Sequence, residues 1–581
     1  MPSSAGDQDW SGDDGGDEVA LNELPSMEDP FIQRYLQGRD ALISQESKQR
    51  SDYAFRQSLS PMAAEASAIV SKIRDEERRT IWTEALEAGL SQKGGEIYPG
   101  AMFALAKERM ESTVLWKIIQ RMPKGALLHA HFEAMVDIGW LIDQAFATKG
   151  MHIYAPAALC SPSSLESGSV LFRFSTTTPQ QSSMIWSDDY TPSTLIPMDS
   201  AADSFPNGGR SGFMRWLKDR CTITAGESIQ HHHGPNAIWR KFQSTFLILN
   251  SIIHYEPILR AFTRRLFQQL ALDGVRWVDL RAVFLHPYWR EGCDIPDQGF
   301  EEMIRVLKDE LVKFQATEEG KYFWGCRMIW TVLRRLQTHM DQCIAVKKAF
   351  PDMIAGFDFV GQEEAGRPLK DLLPEIFWFR KRCAEEGVEI PFFFHAGECL
   401  GDGDETDYNL VDAIVLGTRR IGHGFSLYKH PLLIDMIKDK KILVESCPIS
   451  NEILRFTSSI MSHPLPALLS RGVPVALCND DPAILGQEAS GMTHDFWQAL
   501  QGMEQLGLEG LGALAENSVR WAAFEDQAAK DWTKDIKDGT FGGGIRAARM
   551  KEWLREWESF CQWVVMEFGV DEDGEEEEEE E

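Results

Sequence analysis

The chain lacks the features of membrane and secreted proteins. No apolar stretch approaches the roughly 18–20 residues that span a bilayer. The first thirty residues hold nine acidic residues, no Lys or Arg, and no apolar run of the kind found in secretion signals. We therefore expect no membrane partner and a cytoplasmic location, with secretion by another route left open.

The cysteine spacing does not indicate a disulfide framework, and basic residues are fewer than acidic ones. The ten cysteines include no CxxC motif and are expected to be core thiols, with a Cys160–Cys221 pair as the alternative in an exported protein. The net charge is −30, of which residues 1–30 carry −9 and residues 571–581 carry −10. This balance argues against a nucleic-acid polymer as partner, because phosphate backbones bind basic surfaces.

The termini and the flanking helical regions are distinct in composition. Residues 1–28 and 571–581 are acidic and predicted to be disordered, although the run Glu575–Glu581 would also suit a basic partner. Residues 29–121 have charged, helical periodicity. Residues 531–570 include a Trp-rich helical stretch, Gly544–Phe568, which would pack on the body of the protein or on a second subunit in a homodimer.

Residues 122–530 alternate strand-like and helical patterns. Eight short apolar runs are strand candidates: Gly125–His131, Val275–Phe284, Arg327–Leu333, Ile354–Gly361, Ile390–Gly397, Arg419–Gly424, Ile442–Cys447 and Val473–Asp480. Strands that alternate with helices form parallel βα units, and eight units predict an α/β fold of the (β/α)₈ TIM-barrel type. The Ser-, Thr-, Pro- and Gly-rich region of about 150–235 predicts an insertion after the first strand.

Metal-binding and acidic side chains follow four of these strands. A lone histidine at a strand end is more often structural, and Asp-Asp-Pro is commonly a turn. Active residues of this fold, however, lie at the carboxyl ends of the strands, so four such ends predict one shared site. The residues are, in chain order, His129, His131, His395, Glu398, His423, Asp480 and Asp481.

These residue types suit hydrolysis at a single zinc ion. His129 and His131 leave the same side of their strand, because side chains alternate between faces. With His395 and Asp480 they supply three nitrogens and a carboxylate, and zinc bound in this way lowers the pKa of a water molecule towards about 7. Glu398, if a low-dielectric pocket keeps it protonated, would donate a proton to a ring nitrogen beside the carbon under attack.

The remaining polar residues suit proton transfer from water. His423 and Asp481 would orient the water molecule and take its proton. His231-His-His233 predicts a solvated loop rather than a second metal site, because consecutive side chains diverge.

The motifs, taken in order, resemble the adenosine deaminase family of metal-dependent hydrolases. The long N-terminal helical region, the insertion and the Met-Pro-Lys-Gly opening resemble its adenosine deaminase-related growth factor branch. The resemblance implies one zinc ion per chain and hydrolysis of a small purine nucleoside, adenosine or 2′-deoxyadenosine, with release of ammonia, as in purine metabolism. The motifs are Met122-Pro-Lys-Gly125, His129-Ala-His131, His395-Ala-Gly-Glu398, Gly422-His-Gly424 and Asp480-Asp-Pro482.

The resemblance also implies substrate contacts. Asp481 and the backbone of Gly361 match groups that contact the purine. The family has an aspartate that reaches the ribose two residues after the second histidine, and Glu133 stands there in this chain. Glu133 is one methylene longer than that aspartate, and by its position it would contact the ribose.

Two other functions stay open. The same barrel could act as an amidohydrolase on another aminated purine or a nucleotide, for which Arg281 could be a lone anion contact. An internal ion pair of Arg281 with Asp279 or a neighbour is the alternative. A catalytically silent binding or signalling relative would be expected to lack a metal ligand or the acid, and none is missing here.

Overall fold

The computed structural model describes residues 24–82, 103–177, 183–230, 233–334 and 340–569. Most of the acidic stretch 1–28 that is predicted to be disordered, all of 571–581, and His231 and His232 lie outside the described residues. The boundaries 29–121, 122–530 and 531–570 stay predictions.

The strands form the predicted barrel as two parallel half-sheets. Eleven strands are present in the described residues: β1 (Gly125–His131), β2 (Met151–Tyr154), β3 (Leu171–Phe174), β4 (Ile196–Pro197), β5 (Val275–Val283), β6 (Gly325–Leu333), β7 (Ile354–Val360), β8 (His395–Ala396), β9 (Arg420–His423), β10 (Leu443–Ser446) and β11 (Val475–Leu477). One half-sheet has the order β1-β5-β6-β7 and the other β11-β10-β9-β8. The α/β fold of the (β/α)₈ type is confirmed.

Two seams join the half-sheets. At the first, Phe357 in β7 bridges in parallel to Phe392, just before β8. At the second, Ala130 in β1 bridges in parallel to Asp480, just after β11. These bridges close the sheet on itself, and closure brings the carboxyl ends of all eight strands to one rim.

Two strands are shorter than the apolar runs that predicted them, and the backbone conformation of these runs explains why. The predicted run Ile390–Gly397 contains only the two-residue strand β8, and Pro391 within it has no N–H for a ladder bond. The last run, Val473–Asp480, contains β11 of three residues, and Asp480 has a φ of 57°. That left-handed conformation cannot continue a strand.

Helices follow the strands and extend beyond them at both ends. The α-helices are Pro30–Ser47, Tyr53–Gln57, Pro61–Thr80, Phe103–Met110, Val114–Arg121, Ile138–Ala147, Pro162–Ser167, Met198–Asp203, Gly209–Cys221, Ala225–Ser228, Pro235–Ile253, Glu256–Leu272, Glu301–Gln315, Met340–Ala349, Leu373–Glu385, Asn409–Val415, Pro431–Lys440, Pro448–Ile453, Leu465–Ser470, Gly491–Gly502, Gly507–Arg520, Ala529–Asp538 and Ile545–Phe568. Short 3₁₀ turns occupy Phe132–Ala134, Leu369–Leu372, Phe425–Lys429, Ile460–Ser462 and Gly539–Phe541.

The chain between β1 and β5 contains a small second sheet. β2 pairs antiparallel with β3 and with β4, within the region predicted as an insertion. The helix Pro235–Ile253 follows this sheet, and we call it the roof helix because it covers the barrel rim described below.

The cysteines are unpaired. All ten cysteines are free thiols, including Cys160 and Cys221, and eight of them are buried. Within the described ranges, no helix is both long enough and apolar enough to cross a bilayer.

The C-terminal helix packs on the N-terminal helical region of the same chain. Trp557 is buried, and its ring lies 5.6 Å from that of Phe55 and 5.7 Å from that of Trp553, centroid to centroid. These rings join the segments before and after the barrel, so the two flanking regions stabilise each other through one aromatic cluster.

Replacing Trp557 with Ala should therefore lower the free energy of unfolding by about 3–5 kcal/mol, because a large buried ring is lost and a cavity remains. Chemical denaturation measures the change. The control Met566→Ala, on the same helix but 77% exposed, should stay within about 0.5 kcal/mol of the parent. Equal stabilities of the two variants would contradict the packing role of Trp557.

Candidate active site

The two histidines of β1 lie side by side at the barrel rim. His129 and His131 are both buried, and their ring centroids are 5.6 Å apart. The Nδ1 atom of His129 lies 2.8 Å from Oε2 of Glu445 in β10. Because the carboxylate can only accept, Nδ1 carries the hydrogen and the lone pair of Nε2 faces the rim.

His395 joins this pair from β8. Its ring centroid lies 4.5 Å from that of His129 and 5.5 Å from that of His131. The ligand nitrogens of the three histidines lie within 4.8 Å of one another. His395 donates from Nδ1 to Asp358 in β7 over 2.6 Å, so its Nε2 is also free of hydrogen. Burial lowers the pKa of His395 to about 3, which keeps the imidazole neutral, as a metal ligand must be.

Asp480 completes a donor set at the seam between β1 and β11. Its Oδ1 lies 3.2 Å from Nε2 of His129 and 3.3 Å from Nε2 of His131. Its Oδ2 accepts a hydrogen bond of 2.8 Å from Ser450. Burial alone would raise the pKa of Asp480, but the facing imidazoles, His423 first, hold it well below the ordinary value.

The donor set fits a cation. Nε2 of His129 and Oδ1 of Asp480 are buried and face each other, and neither has a hydrogen-bond partner among the described residues. Leaving both atoms unpaired is costly, whereas a metal ion between them would use both lone pairs. Three imidazole nitrogens and one carboxylate oxygen match the ligands that zinc takes in proteins.

Two acidic groups beside the donor set have strongly raised pKa values. Burial, followed by the charges of Asp480 and Glu363, raises the pKa of Glu398 well above its ordinary value. Burial and the charge of Asp480 do the same for Asp481. These shifts favour the protonated form of both groups.

His423 lies between the acid and the donor set. Its Nδ1 is 3.5 Å from Oε1 of Glu398, and its Nε2 is 3.7 Å from Oδ2 of Asp480. Burial lowers the pKa of His423 well below the ordinary value, so the ring is neutral and can accept a proton. Its φ of 62° is unusual for a residue other than glycine and is typical of functional sites.

A cavity of about 420 Å³ opens over these residues. It touches His131, His395, Glu398, His423, Asp480 and Asp481, and it also touches Gly361, whose φ is 100°. The roof helix covers it with one face: Trp239, Phe242, Gln243, Phe246, Leu247 and Asn250. That spacing of three and four residues is the period of a helix. This helix is a part of the site that the strand-end motifs did not indicate.

Glu133 lies beside the cavity and not in its wall. It is buried, and one of its oxygens accepts a hydrogen bond of 3.2 Å from the backbone of Val283, a residue that does line the cavity. Burial raises the pKa of Glu133 to about 7. Its other oxygen has no hydrogen-bond partner in the part of the chain that the structure describes.

Charged side chains inside the barrel support the histidines, and sequence reasoning missed most of them. Arg281 donates to Asp358 over 2.9 Å and to Glu445 over 2.8 Å, so it makes an internal ion pair, though not with Asp279. Asp279 pairs instead with Arg420 at 2.9 Å. The available signal was a charged residue between apolar ones in a buried strand, as in Phe357-Asp-Phe359.

A parallel barrel with imidazoles and carboxylates at its carboxyl rim defines an enzyme with a metal-type donor set. A family model described as adenosine deaminase matches residues 223–538. Adenosine deaminase 2-A of Danio rerio is 30% identical over 454 residues, which cover 76% of this chain and 83% of the relative. Adenosine deaminase 2 of Homo sapiens is 30% identical over 459 residues, which cover 76% and 84%.

The chain therefore belongs to the adenosine deaminase family and is a hydrolase, and its resemblance to the growth factor branch is confirmed. The chain is also similar in fold to two solved structures. The N6-mAMP deaminase of Arabidopsis has 16% identity and a TM-score of 0.47, covering 73% of this chain and 99% of that one. An amidohydrolase from Burkhoderia ambifaria with bound Zn has 14% identity and a TM-score of 0.46, covering 81% and 100%.

Asp358→Asn should weaken metal binding roughly 10- to 100-fold, because an amide fixes the ring of His395 less firmly than a carboxylate does. Competition with a chromogenic chelator measures the affinity. Asp352→Asn is the matched control, since this exposed residue precedes the same strand and binds Lys308. Equal metal affinity in both variants would remove the supporting role of Asp358.

Proposed function

We propose that this chain is a zinc-dependent deaminase of adenosine and 2′-deoxyadenosine. The observation that carries the proposal is the position of Glu398, a buried acid with a raised pKa, beside a neutral His423 and a metal-type donor set in one cavity. Replacing an amino group on an aromatic ring requires these elements together: an acid for the ring, a base for water, and a means to activate that water.

His129, His131 and His395 would hold one zinc ion per chain through nitrogen, and Asp480 through a carboxylate oxygen. A bound zinc ion polarises water, which makes it nucleophilic at neutral pH. The Nδ1 bonds of His129 and His395 to carboxylates favour this ligand set, because they direct Nε2 towards the ion.

The protein moves two protons in this proposal. Glu398 donates one to the ring nitrogen beside the carbon that carries the amino group, which makes that carbon electrophilic. His423 accepts one from the attacking water, and its lowered pKa keeps it available. His423 then passes its proton to the amino group, which leaves as ammonia. The remaining hydroxyl proton returns to Glu398 as the carbonyl of the product forms.

Asp481 and Gly361 would bind the purine. The raised pKa of Asp481 favours a protonated carboxyl that donates a hydrogen bond to a ring nitrogen, more than a second proton acceptor for water. Gly361 offers its backbone in the cavity wall. Contact of Glu133 with the ribose remains a prediction, and it would need Glu133 to turn from Val283 towards the cavity.

The cavity wall favours a nucleoside over a nucleotide. Aromatic and aliphatic side chains of the roof helix form much of it, and such walls suit an uncharged heterocycle. Among the described residues that line the cavity, Arg334 is the one cationic side chain. Its Nη2 already donates to the backbone oxygen of His395 over 2.7 Å. No cluster of cations for a phosphate is present in that lining.

The direct test is ammonia release from adenosine, 2′-deoxyadenosine, adenine and AMP, with and without a chelator. We expect the two nucleosides to react fastest and the activity to disappear with the chelator and return with zinc. A preference for AMP would support the nucleotide alternative. No release from any of the four by the metal-loaded protein would overturn the proposal.

Glu398→Gln should retain zinc but lower kcat for adenosine by about 100-fold or more, because an amide cannot donate the proton. Metal analysis and steady-state kinetics of the same preparation test both statements. The control Glu405→Gln changes an exposed residue that pairs with Lys370 and should leave kcat unchanged. Near-normal turnover by Glu398→Gln would remove its role as acid.

The pH dependence of kcat/KM should be bell-shaped. Glu398 must be protonated, so activity falls as pH rises through its raised pKa. His423 must be neutral, so activity falls as pH drops through its lowered pKa, below 6.5. In Glu398→Gln the residual activity should keep the acid limb and lose the alkaline one, and an unchanged alkaline limb would assign it to another group.

A further inference from the structure

We propose that Glu363 is a positioning residue that holds the backbone of the acid Glu398 in place for proton donation. This inference rests on the proposed deaminase function. Glu363 follows β7 and is buried. Among the described residues, its carboxylate accepts hydrogen bonds from the segment that carries Glu398 and from Asn409.

The carboxylate of Glu363 accepts three hydrogen bonds. Oε1 accepts from the backbone N–H of Glu398 at 3.0 Å. Oε2 accepts from the backbone N–H of Gly397 at 3.3 Å and from the side-chain amide of Asn409 at 2.7 Å. Glu363 thus ties two successive peptide groups, one of them that of the acid itself, to the loop after β7.

The same segment is tied to a third strand end. Arg334, one residue after β6, is buried, with Nη2 at 3.8 Å from Oε2 of Glu363. The same Nη2 donates to the carbonyl oxygen of His395 over 2.7 Å. Arg334 and Glu363 therefore hold the segment 395–398 from both sides, one through a carbonyl group and one through N–H groups.

The segment needs these bonds because secondary structure does not fix it. β8 has two residues and ends at Ala396. Gly397 follows with a φ of 77°, and a Cβ there would lie 2.9 Å from Leu410. Beyond β8 the carboxyl of Glu398 has no sheet ladder to position it, while a displacement of about 1 Å at a reacting group can cost roughly 100-fold in rate.

Glu363 also joins the acid to the substrate side of the cavity. Gly361 and Gln362 line the cavity, and they immediately precede Glu363 in the chain. A purine would contact Gly361 in this turn, and Glu363 in the same turn holds the backbone of the proton donor Glu398. Such a link fixes the position of the proton donor relative to the ring. Correct relative position of reacting groups lowers the activation barrier.

The charge of Glu363 supports the same role. It contributes to the raised pKa of Glu398, after burial and Asp480, while Arg334 acts in the opposite direction. A neutral residue at position 363 would remove one of the causes of that raised pKa. The alkaline limb of the activity profile would then move to lower pH.

The test compares Glu363→Gln, Glu363→Asp and the control Glu405→Gln in the full-length chain loaded with zinc. Glu405 is exposed and pairs with Lys370. Glu363→Gln should lower kcat for adenosine roughly 10- to 100-fold with little change in KM or zinc content. Its alkaline limb should move to lower pH. Glu405→Gln should match the parent protein.

Glu363→Asp distinguishes the effect of carboxylate position from the effect of its charge. It also provides a second variant if Glu363→Gln does not fold. It keeps the negative charge but withdraws the carboxylate by one methylene, so kcat should fall while the alkaline limb stays near that of the parent. Parental kcat in either folded Glu363 variant would overturn the inference. Loss of kcat in proportion to loss of zinc or of folded protein would also overturn it, since that result indicates a structural role alone.

Hydrogen exchange of residues 396–400, followed by mass spectrometry, provides a readout that does not require activity. Exchange should be faster in Glu363→Gln than in the parent or in Glu405→Gln, and equal exchange would contradict the tether. A parent protein that releases no ammonia from adenosine would overturn the proposed function. The exchange result would still show whether Glu363 restrains the segment.

Discussion

Two backbone hydrogen bonds form one of the two seams that close the barrel, and the candidate site is built on them. The N–H of His131 donates to the carbonyl of Asp480 over 3.0 Å, and the N–H of Asp480 donates to the carbonyl of His129 over 3.2 Å. Three of the four proposed metal ligands are thus joined through their own backbones at the seam between the first and last strands. Barrel closure and assembly of the donor set are one event, so a barrel that failed to close would have no site.

The histidines are oriented by charges that the protein interior must stabilise. Burying a carboxylate or a guanidinium is costly unless the opposite charge and further hydrogen bonds are present. Arg281 meets that requirement by binding both Asp358 and Glu445, the two carboxylates that hold His395 and His129. Removing one partner from such a network typically costs about 3–5 kcal/mol, since the remaining charge stays buried. Stability and ring orientation therefore depend on the same ion pairs.

The cavity depends on segments that lie outside the regular barrel. The roof helix supplies an aromatic and aliphatic cover, and the turn after β7 supplies both a wall and the tether of the acid. An apolar cover excludes water and keeps the local dielectric low. Low dielectric and nearby negative charge together give Glu398 its raised pKa, because both disfavour the ionised carboxylate. The ability of Glu398 to donate a proton therefore depends on its surroundings as well as on its being a glutamate.

Much of the site could be predicted from the sequence because it depends on local rules. Alternation along β1 places His129 and His131 on one side, and the eight apolar runs give the barrel, whose rim collects their ends. The supporting residues could not be predicted in this way. Glu445 binds His129 across 316 positions of the chain, and no periodicity states which strands will face each other at that distance.

The sequence by itself determined the strand pattern, the fold class and the residue types at the strand ends. Only the tertiary structure decided that Arg281 binds Asp358 and Glu445, that Glu133 lies beside the cavity, and that Pro235–Ile253 covers it. The physical reason is that a residue's own neighbours in the chain fix the direction in which its side chain leaves the backbone. What that side chain meets there is fixed by barrel closure and long-range packing.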